Sequence, residues 1–552
     1  MNIFKNKKLI LVGIIILAFV LRFYRLGSFP AFNADEASIG YDAYSLIQTG
    51  HDQHGNAWPV SFQSFNDYKP GLYVYIVLPF VKVLGLTEWA VRIPNALIGV
   101  ASVYLIYLLV KELFGKEKEV FPLIAALFLA ISPWHIHFSR GGWEANTATF
   151  FLMVGVLFFV KYFNFEKKSR YYLIYSILAF IAAIYTYQAT RVISPLLGLG
   201  LVVIYRKEIF KNSRPFFIAG IVGFVLLVPL FLDFAKGNVL SRAAGVGLFA
   251  DPGPRSRVEE QRGEHIIVSS LVGRALHNKV VNYSLAFLEN WTTHFHGEFL
   301  FLSGDAVQRS KVPETGEMYL VDIVFLSLGG ILLLKKKDSK GVQVLAMWII
   351  LGPVASALTF QSPSALRAQN IVIPLMTVSA YGAFGIYEFI KKKAKTKNMF
   401  LAGTLVIVGL LGWNFARYEQ MYWVHMAKEY PYSSQYGVKE LVDFVQKNQD
   451  KYNKILITDR YDQPYILFLF YMKYSPAKFQ MEHNLTSRDQ FGFSTVSSFG
   501  KYYFSSIKFD EARQNNPNTL IAGTSGEIPK EANIIKDIYG TNGFLYFRVV
   551  AN

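Results

Sequence analysis

The chain contains no cysteine among its 552 residues. Disulfide frameworks, thiolate metal sites and cysteine nucleophiles are therefore excluded. Charged residues are also scarce: they make up 17% of the chain, whereas soluble globular proteins carry about a quarter. Hydrophobic residues account for 52%, aromatic residues for 16%, and the mean hydropathy is +0.28. This composition predicts a polytopic α-helical membrane protein.

The net charge of +17 is arranged in a way that excludes nucleic-acid binding. Lysine and arginine are concentrated in short segments between apolar runs, and the intervening gaps are richer in acidic and aromatic residues. This alternation is the positive-inside pattern of a membrane protein. The basic segments are 5–8, 111–119, 161–170, 206–214, 335–340 and 391–397.

If each basic segment is cytoplasmic, the chain crosses the membrane about eleven times. The predicted spans are 9–25, 90–110, 120–134, 145–162, 171–187, 192–206, 215–233, 318–334, 342–359, 369–390 and 398–415. The first apolar run lacks a small-residue cleavage site, so we expect it to be a retained helix. The N-terminus is then cytoplasmic, and three long external segments remain: 26–89, 234–317 and 416–552. We expect an integral, multi-pass protein of the plasma membrane.

The external tail, 416–552, is predicted to be a separate α/β domain after a transmembrane module at 1–415. Helical periodicity covers 436–450, and a further helix is expected at 464–474. Short apolar runs at 454–458, 518–523 and 543–550 are typical of buried strands. The alternation favours a sheet with flanking helices.

Two adjacent carboxylates, Asp35 and Glu36, follow the first span directly. Asn33 with Glu36 three residues later is a capping box, and the pattern beyond it predicts an amphipathic helix at 34–48 on the outer membrane surface. Carboxylates in a first helical turn are held ionised by the helix dipole. Either both acids only stabilise the helix start, or Asp35, which the cap does not need, has a chemical role.

Further motifs follow in a fixed order. Lys69–Pro70 in "YKP" is predicted to open a second interfacial helix, "EWAVRIPNAL" (88–97) enters the second span, and "SPWHIHFSRGGWEANTATFFLM" (132–153) forms the next external loop. Later loops are "FLSGDAVQRSKVPETGEMYLVDIVFL" (301–326) and "QSPSALRAQNIVIPLM" (361–376). Over residues 1–390 the chain resembles the protein O-mannosyltransferase and lipid A aminoarabinose transferase superfamily.

The resemblance implies a GT-C fold and a polyprenyl-phosphate-linked sugar donor. It implies that Asp35 is the general base for a hydroxyl acceptor, which attacks the sugar in a single, inverting displacement on the extracytoplasmic side. The acceptor, whether protein, glycan or lipid, is left open. Lys69 matches the family lysine that contacts the lipid phosphate; the alternative is a lysine that snorkels to the headgroups.

The remaining candidates are weighed against structural alternatives. With the catalytic group we place Glu36 and Glu144, and with the donor-binding group Arg367, Arg140 and Tyr68. Arg367 is otherwise a headgroup contact, and Arg140 and Glu144 are otherwise a helical i,i+4 pair. Arg92 and Arg191 are expected to be interface anchors. Asp305, Arg309 and His294 are possible loop or substrate contacts, with loop ordering as the expected role of Asp305 and Arg309.

No metal site is assigned, although a divalent metal stays open as a cofactor. His51, Asp52 and His54 lie close together, as do His294 and His296, but neither group has a specific ligand spacing. Some relatives carry a metal-binding glutamate immediately before the family lysine, and this chain has Tyr68 there.

Three other functions were considered. A transporter or flippase for lipid-linked sugars would place charges inside the spans, and these spans are nearly free of them. A single-subunit oligosaccharyltransferase normally carries the tail signature "WWDYG", which does not occur here. The third is a non-catalytic scaffold for polysaccharide assembly.

Overall fold

A computed structural model describes residues 6–65, 67–115, 120–165, 169–235, 245–265, 270–430, 435–487 and 494–552. Parts of the predicted segments 111–119, 161–170 and 234–317 lie outside these ranges. The chain forms two compact units. We call 1–22, 98–138 and 144–418 the helical unit, and 23–97, 139–143 and 419–552 the loop–tail unit. The predicted domain boundary after residue 415 stays a prediction.

Each predicted span coincides with a helix. The helices are Lys7–Phe23, Glu88–Phe114, Val120–Ile131, Glu144–Asn164, Arg170–Thr186, Thr190–Ile204, Arg214–Ala235, Asp322–Leu334, Lys340–Leu351, Val372–Lys393 and Lys397–Gln420. Among the described residues, six helical segments are long and apolar enough to cross a membrane. A seventh is possible if Val120–Ile131 and Pro133–Ser139, which meet at 57°, form one broken span. The predicted count of eleven therefore stays a prediction.

The apolar helices differ in how much of their surface the protein covers. In the most apolar 18-residue stretch of Gln369–Lys393, 78% is buried inside the protein. The corresponding share is 17% in Arg214–Ala235 and 11% in Lys397–Glu429. Gly382 allows the helix Val372–Lys393 to pack tightly against Asp322–Leu334, because a Cβ at this position would lie 1.9 Å from the carbonyl oxygen of Phe325. Such close contacts at small residues are typical of packing between membrane helices.

The segment 234–317, predicted to be external, is mainly helical where it is described. Its α-helices are Gly253–Gly263, Leu271–Leu276 and Lys279–Thr293, with a π-helix at Glu298–Leu302 and 3-10 turns at Leu248–Ala250 and Gln308–Ser310. Short helices elsewhere in the helical unit are Arg206–Lys211 and Val354–Ala357, with a 3-10 turn at Gln369–Ile371.

The loop–tail unit begins with a helix, a hairpin and a second helix. The first helix, Ala34–Thr49, is called the Asp35 helix; strands β1 (Ser61–Ser64) and β2 (Asp67–Pro70) pair antiparallel, and the second helix is Leu72–Leu84. The prediction that Lys69–Pro70 opens a helix is wrong, because both residues belong to β2. Gly71 separates strand from helix, and a Cβ there would lie 2.7 Å from the Phe62 ring.

The tail contains a mixed seven-stranded sheet. In chain order its strands are β3 (Lys454–Ile457), β4 (Asn484–Leu485), β5 (Val496–Phe499), β6 (Tyr502–Phe504), β7 (Thr519–Gly523), β8 (Ile534–Tyr539) and β9 (Leu545–Ala551). Their spatial order is β4-β5-β6-β3-β7-β9-β8, with β3 parallel to both of its neighbours. The predicted strands correspond to β3, β7 and β9, which confirms them; the prediction missed the other four.

Helices flank this sheet. They are Val438–Asn448, Pro464–Met472, Pro476–Glu482 and Phe509–Asn515, preceded by the π-helix Met421–His425 and the short helix Met426–Glu429, and a 3-10 turn covers Gln449–Lys451. The first two confirm the predicted tail helices. A sheet with helices on its faces is the α/β arrangement that the periodicity predicts.

The Asp35 helix packs inside this unit. Ile39, Tyr41, Ala43 and Leu46 belong to one hydrophobic core with the helix Pro464–Met472 and strand β3. The polar residues Ser38, Asp42 and Ser45 are buried as well, so the predicted amphipathic division into a buried and a solvated face is wrong. The helix bounds themselves agree with the prediction, and its predicted place at the membrane surface stays a prediction.

Candidate functional site

The start of the Asp35 helix is built as the sequence predicts. Asn33 has extended backbone angles, and its Oδ1 accepts from the backbone N–H of Glu36 (3.1 Å), while Glu36 Oε2 accepts from the Asn33 N–H (3.3 Å). This is a complete capping box. Gly50, with φ of 73°, ends the helix in the left-handed conformation. The cap fixes the direction in which Asp35 leaves the first turn.

Asp35 and Lys69, 34 residues apart in sequence, form an ion pair. Lys69 Nζ donates to Asp35 Oδ1 at 2.5 Å, and the two side chains are 15% (Lys69) and 22% (Asp35) exposed. The ammonium also lies 5.3 Å from the centre of the Phe65 ring. Strand β2 carries Lys69 to the helix, so the hairpin brings together the two residues to which the sequence assigns the base and the phosphate contact.

Glu36 points into the protein, away from solvent, and is 1% exposed. It binds Arg92 through both oxygens, with Arg92 Nε to Oε1 at 2.6 Å and Nη2 to Oε2 at 2.7 Å. The backbone N–H of Gly142 donates to Oε1 at 2.7 Å. A carboxylate with these partners has no room for a substrate, so the geometry gives Glu36 a structural role.

The sequence suggested that Arg92 is an interface anchor. The structure differs, because Arg92 is fully buried. Besides Glu36 it donates to the carbonyl oxygens of Leu26 and Pro30, each at 2.9 Å, and of Ala31 at 3.2 Å. A guanidinium can satisfy several carbonyls at once. Arg92 therefore fixes the segment that leads into the capping box.

Arg140, assigned to the donor phosphate from the sequence, is also fully buried. Its donors bind the carbonyl oxygens of Tyr24 (2.7 Å) and Phe29 (3.2 Å) and the hydroxyl of Tyr422 (3.0 Å), and its guanidinium lies 4.7 Å from the Trp423 ring centre. These contacts fit a residue that holds the chain ahead of the site. The alternative, a helical pair with Glu144, is wrong, since a turn separates helices ending at Ser139 and starting at Glu144.

A buried polar cluster lies beneath Asp35 on the same helix. Ser38 Oγ contacts Ser64 Oγ of β1 at 3.0 Å, and Asp42 accepts from the backbone N–H (3.0 Å) and the side-chain amide (3.3 Å) of Gln53. Burial raises the pKa of Asp42 well above its usual range, and the negative charge of Asp52 raises it further. The raised pKa favours the protonated form of this carboxyl group in the folded protein.

Tyr68, assigned to donor binding, precedes Lys69 in strand β2. Its hydroxyl donates to Oε1 of Gln63, its pairing partner in strand β1, at 3.5 Å. Tyr68 is half-buried, so its ring and hydroxyl lie at the edge of the hairpin that carries Lys69.

Two loops of the helical unit, 303–312 and 361–368, are joined through Asp305. This buried carboxylate accepts from the backbone N–H of Ala365 (2.6 Å) and of Val307 (2.8 Å), and burial raises the pKa of Asp305. Nearby, the carbonyl oxygen of Arg309 accepts from His137 Nε2 at 3.0 Å. The Asp305 contacts tie the two loops together. Arg309 takes part only through its backbone carbonyl, so the predicted role of its side chain stays a prediction.

His294 supports the same loop from below. Its Nε2 accepts from the backbone N–H of Ser364 (3.3 Å) and contacts Ser356 Oγ (2.8 Å), so its Nδ1–H donates to the carbonyl oxygen of Asn290 (2.8 Å). Burial lowers the pKa of His294 to about 4. It is therefore a neutral, fully engaged histidine, which disfavours substrate contact.

Arg367 is half-buried on the loop that Asp305 and His294 hold. Its Nη1 donates to the carbonyl oxygen of Gln361 at 2.9 Å and its Nη2 to Gln361 Oε1 at 3.1 Å. Glu144, assigned to the catalytic group, opens the helix Glu144–Asn164 of the same unit. The structure thus brings Asp35, Glu36, Lys69 and Tyr68 together in the loop–tail unit and places Arg367 and Glu144 in the helical unit.

Among the described residues, no group of three or more His, Asp or Glu side chains is close enough to hold a metal ion. Asp52 is committed to its own turn, where it accepts from the backbone N–H groups of His54 (2.9 Å) and Asn56 (2.8 Å).

Sequence reasoning missed Gln435. Its Oε1 accepts from the backbone N–H of Ala34 at 2.6 Å, next to Asp35, although 401 residues separate the two. It also missed Asp42 and Gln53. Asp42 carries a signal, because it lies seven residues after Asp35 and so on the same helical face; Gln435 carries none.

Comparison with known proteins supports the resemblance. The family model of dolichyl-phosphate-mannose-protein mannosyltransferases matches residues 68–232. YycA of Bacillus subtilis (strain 168), named provisionally as a mannosyltransferase, is 37% identical over 87 residues, or 16% of this chain. An uncharacterised protein of Aquifex aeolicus (strain VF5) is 28% identical over 167 residues, or 30% of this chain. The matched regions span only 12% and 32% of these two relatives.

Solved structures share the fold over nearly the whole chain. ArnT from Cupriavidus metallidurans, bound to undecaprenyl phosphate, matches with a TM-score of 0.53 at 13% identity, covering 98% of this chain and 97% of ArnT. The oligosaccharyltransferase AglB from Archaeoglobus fulgidus, in complex with an inhibitory peptide and a dolichol-phosphate, matches with a TM-score of 0.54 at 11% identity, covering 95% and 70%. At such identities the likeness shows the fold alone. Residues 68–232 thus match the family model of dolichyl-phosphate-mannose-protein mannosyltransferases, and the chain as a whole shares the fold of ArnT and AglB.

Proposed function

We propose that this protein is a membrane glycosyltransferase that moves a sugar from a polyprenyl-phosphate-linked donor to a hydroxyl acceptor. The mannosyltransferase-family match, the shared fold and the multi-pass helical architecture support this class of enzyme. The observation that carries the proposal is the ion pair between Asp35 and Lys69. In the proposal Asp35 is the base and Lys69 is the phosphate-binding cation.

The accessibility of this pair distinguishes it from its neighbour. Asp35 and Lys69 remain 22% and 15% exposed, whereas Glu36 and Arg92, one residue along the helix, are 1% and 0% exposed. A pair in contact with solvent can exchange partners at small cost, but a buried pair cannot. Only the Asp35–Lys69 pair is therefore suited to meet a substrate.

Binding of the donor changes the partner of Lys69. The lipid-linked phosphate carries negative charge, so the ammonium of Lys69 moves from Asp35 Oδ1 to a phosphate oxygen. Charge-assisted contacts of this kind are among the stronger hydrogen bonds. The carboxylate of Asp35 then accepts the proton of the acceptor hydroxyl. In this way, binding of the donor makes Asp35 able to act as the base.

The reaction is a single displacement. The acceptor oxygen forms a bond with the anomeric carbon while the bond from that carbon to the phosphate oxygen breaks. The acceptor proton passes to Asp35, and the bonding electrons leave on the lipid phosphate, where Lys69 stabilises them. General-base assistance contributes about 10²–10⁴-fold to such a step. Attack opposite the leaving phosphate inverts the anomeric configuration.

The reaction is assigned to the outer face of the plasma membrane. The basic segments then face the cytoplasm with the N-terminus, and the first loop and the tail lie outside. On this side Arg367 is proposed as a second phosphate ligand, positioned by Asp305 and His294. Glu36, Arg92 and Arg140 act as positioning residues that hold the chain around Asp35.

The test is the transfer of radiolabel from polyprenyl-phosphate hexoses to acceptor in membranes that contain the full chain. Asp35→Asn is expected to lower transfer by about 10²–10⁴-fold, because an amide cannot accept the proton. Asp510→Asn is the matched control, since Asp510 also lies in the first turn of a helix but is exposed and far along the tail. It is expected to retain normal transfer.

Lys69 tests the other half of the site. Lys69→Gln is expected to weaken donor binding and slow transfer, while Lys69→Arg keeps the charge and is expected to retain part of both. If neither Asp35→Asn nor Lys69→Gln changes transfer, the catalytic assignment is wrong. If residues 26–89 are accessible only from the cytosol, the assignment to the outer face is wrong.

A further inference from the structure

The external segment of the helical unit contains a basic cavity that the proposed transfer reaction does not use. It has a volume of about 540 Å³ and lies among the three helices Gly253–Gly263, Leu271–Leu276 and Lys279–Thr293. Its lining includes four cations, Arg255, Arg262, Arg274 and Lys279, and one carboxylate, Glu259. We call this the four-cation cavity, and its lining charge is strongly positive.

The cations are only partly neutralised by the protein. Arg255 Nε lies 3.4 Å from Glu259 Oε1, and both side chains are well exposed. Within the described ranges, no carboxylate pairs with Arg274 or Lys279. Placing four cations around one space is unfavourable unless an anion reduces their mutual repulsion. The cavity therefore suits a ligand with negative charge.

The walls of the cavity are held in place by contacts between the helices. Arg262 Nε donates to the carbonyl oxygen of His277 at 2.7 Å, which fixes its guanidinium against the end of the second helix. His277 Nδ1 contacts Gln261 Oε1 at 3.0 Å. Asn278 caps the helix Lys279–Thr293 by accepting from the Val281 N–H at 3.1 Å. The positive end of that helix dipole thus points toward the same space.

Apolar side chains surround the cations, which indicates the kind of anion. Leu271 is 85% exposed, and Val280, which itself lines the cavity, is 77% exposed; Val272 and Leu276 are also exposed. Basic residues beside exposed aliphatic ones are typical of helices that lie at a membrane surface. Arginine is well suited to phosphate, which it can bind through two donors.

We propose that the four-cation cavity binds a phosphate group, supplied by the headgroup of an anionic phospholipid. Arg274 and Lys279 hold the phosphate, Arg262 and Arg255 complete its shell, and Leu271 and Val280 contact the acyl region. The site uses none of the residues assigned to sugar transfer. It anchors this external segment to the membrane surface.

The proposal is tested by hydrogen–deuterium exchange on the full chain in nanodiscs. Discs of phosphatidylglycerol are compared with discs of phosphatidylcholine, which has the same phosphate but no net charge. Exchange of the amides in 270–285 is expected to be slower by about threefold or more in phosphatidylglycerol. A further arm adds inorganic phosphate to the phosphatidylcholine discs.

Variants separate binding from folding. The double variant Arg274→Gln/Lys279→Gln is expected to lose the difference between the two lipids, because it removes the two lining cations that pair with no carboxylate among the described residues. Arg257→Gln is the matched control, since Arg257 is exposed on the same helix as Arg255 and Arg262 but does not line the cavity. It is expected to keep the full difference.

Each outcome decides between alternatives. Equal exchange in both lipids, with no effect of inorganic phosphate, overturns the proposal, as does equal loss in Arg257→Gln and the double variant. Protection by inorganic phosphate alone supports the phosphate site but overturns the lipid as its source. Exchange in the tail amides 519–523 serves as a folding reference, and it is expected to be the same in every variant.

Discussion

Asp35 and Glu36 follow each other in the sequence and each pairs with a cation, yet their surroundings are opposite. Asp35 meets Lys69 at a solvent-accessible edge, where a single oxygen lies 2.5 Å from the ammonium. Glu36 meets Arg92 through two oxygens inside the protein, where Gly142 and Asn33 also donate to it. The same helical turn therefore carries a pair that can change partners and a pair that must persist.

The difference follows from helix geometry. Consecutive residues on a helix point about 100° apart, so Asp35 faces the hairpin while Glu36 faces the helix Glu88–Phe114. A pair of adjacent acids after a membrane helix can thus hold a reactive group and its structural support in two residues. Three experiments test how the carboxyl groups of this helix differ.

The largest effect is expected when the buried pair is broken. Glu36→Gln leaves Arg92 buried without a counter-charge and should lower the free energy of unfolding by about 3–5 kcal/mol. Thermal or denaturant unfolding of the full chain in detergent measures it. Glu88→Gln is the control, because its partner Lys439 is 57% exposed, and it should cost less than about 1 kcal/mol. Equal losses would show that burial does not distinguish the pairs.

A third carboxyl on the same helix, Asp42, tests burial without a cation contact. Its pKa is raised above the value of an unfolded aspartate, near 3.9, so the folded state binds this proton more tightly. The stability from this proton is complete below about pH 4 and declines as pH rises through the folded pKa. Asp42→Asn has no such proton to lose.

The free energy of unfolding should therefore fall with rising pH less steeply in Asp42→Asn than in the unmodified chain, with a difference on the order of 1 kcal/mol at the alkaline end. Asp510→Asn, which changes an exposed aspartate, should leave the slope unchanged. Parallel pH profiles for Asp42→Asn and the unmodified chain would contradict a raised pKa of Asp42.

The smallest effect on stability is expected at the exposed pair. Asp35→Asn and Lys69→Gln should each change the free energy of unfolding by less than about 1 kcal/mol, because solvent replaces the lost partner. A double-mutant cycle between the two measures their coupling. A coupling of several kcal/mol would show that the pair is structural and would weaken its assignment to catalysis.

Much of the fold could be predicted from the sequence because its signals are local. The apolar runs locate a helix at every predicted span, and the capping box around Asn33 and the tail strands β3, β7 and β9 follow from short patterns. The number of membrane crossings does not follow in the same way, since several of these helices are short and only six pass the length and hydropathy requirement.

The hairpin and the arginines show where local signals fail. Strands β1 and β2 are four residues each, and Pro70 next to Gly71 resembles the start of a helix. From the sequence, Arg92 resembles an interface anchor and Arg140 a phosphate ligand, because a sequence shows their charge but not the carbonyl oxygens that receive it. Those acceptors come from loop geometry, which only the folded chain defines. The pairing of Asp35 with Lys69 could be predicted only through the family resemblance.

One contact links the reactive end of the Asp35 helix to the order in which the protein is made. The N–H of Ala34 leaves the ribosome early, but Gln435, which accepts from it, follows 401 residues later. The first helical turn is complete only once most of the chain has been synthesised and the start of the tail has folded back onto it. A nascent chain that lacks its tail therefore holds Asp35 in an unfinished first turn, and truncation after Gln420 removes a support of the carboxylate that we propose as the general base.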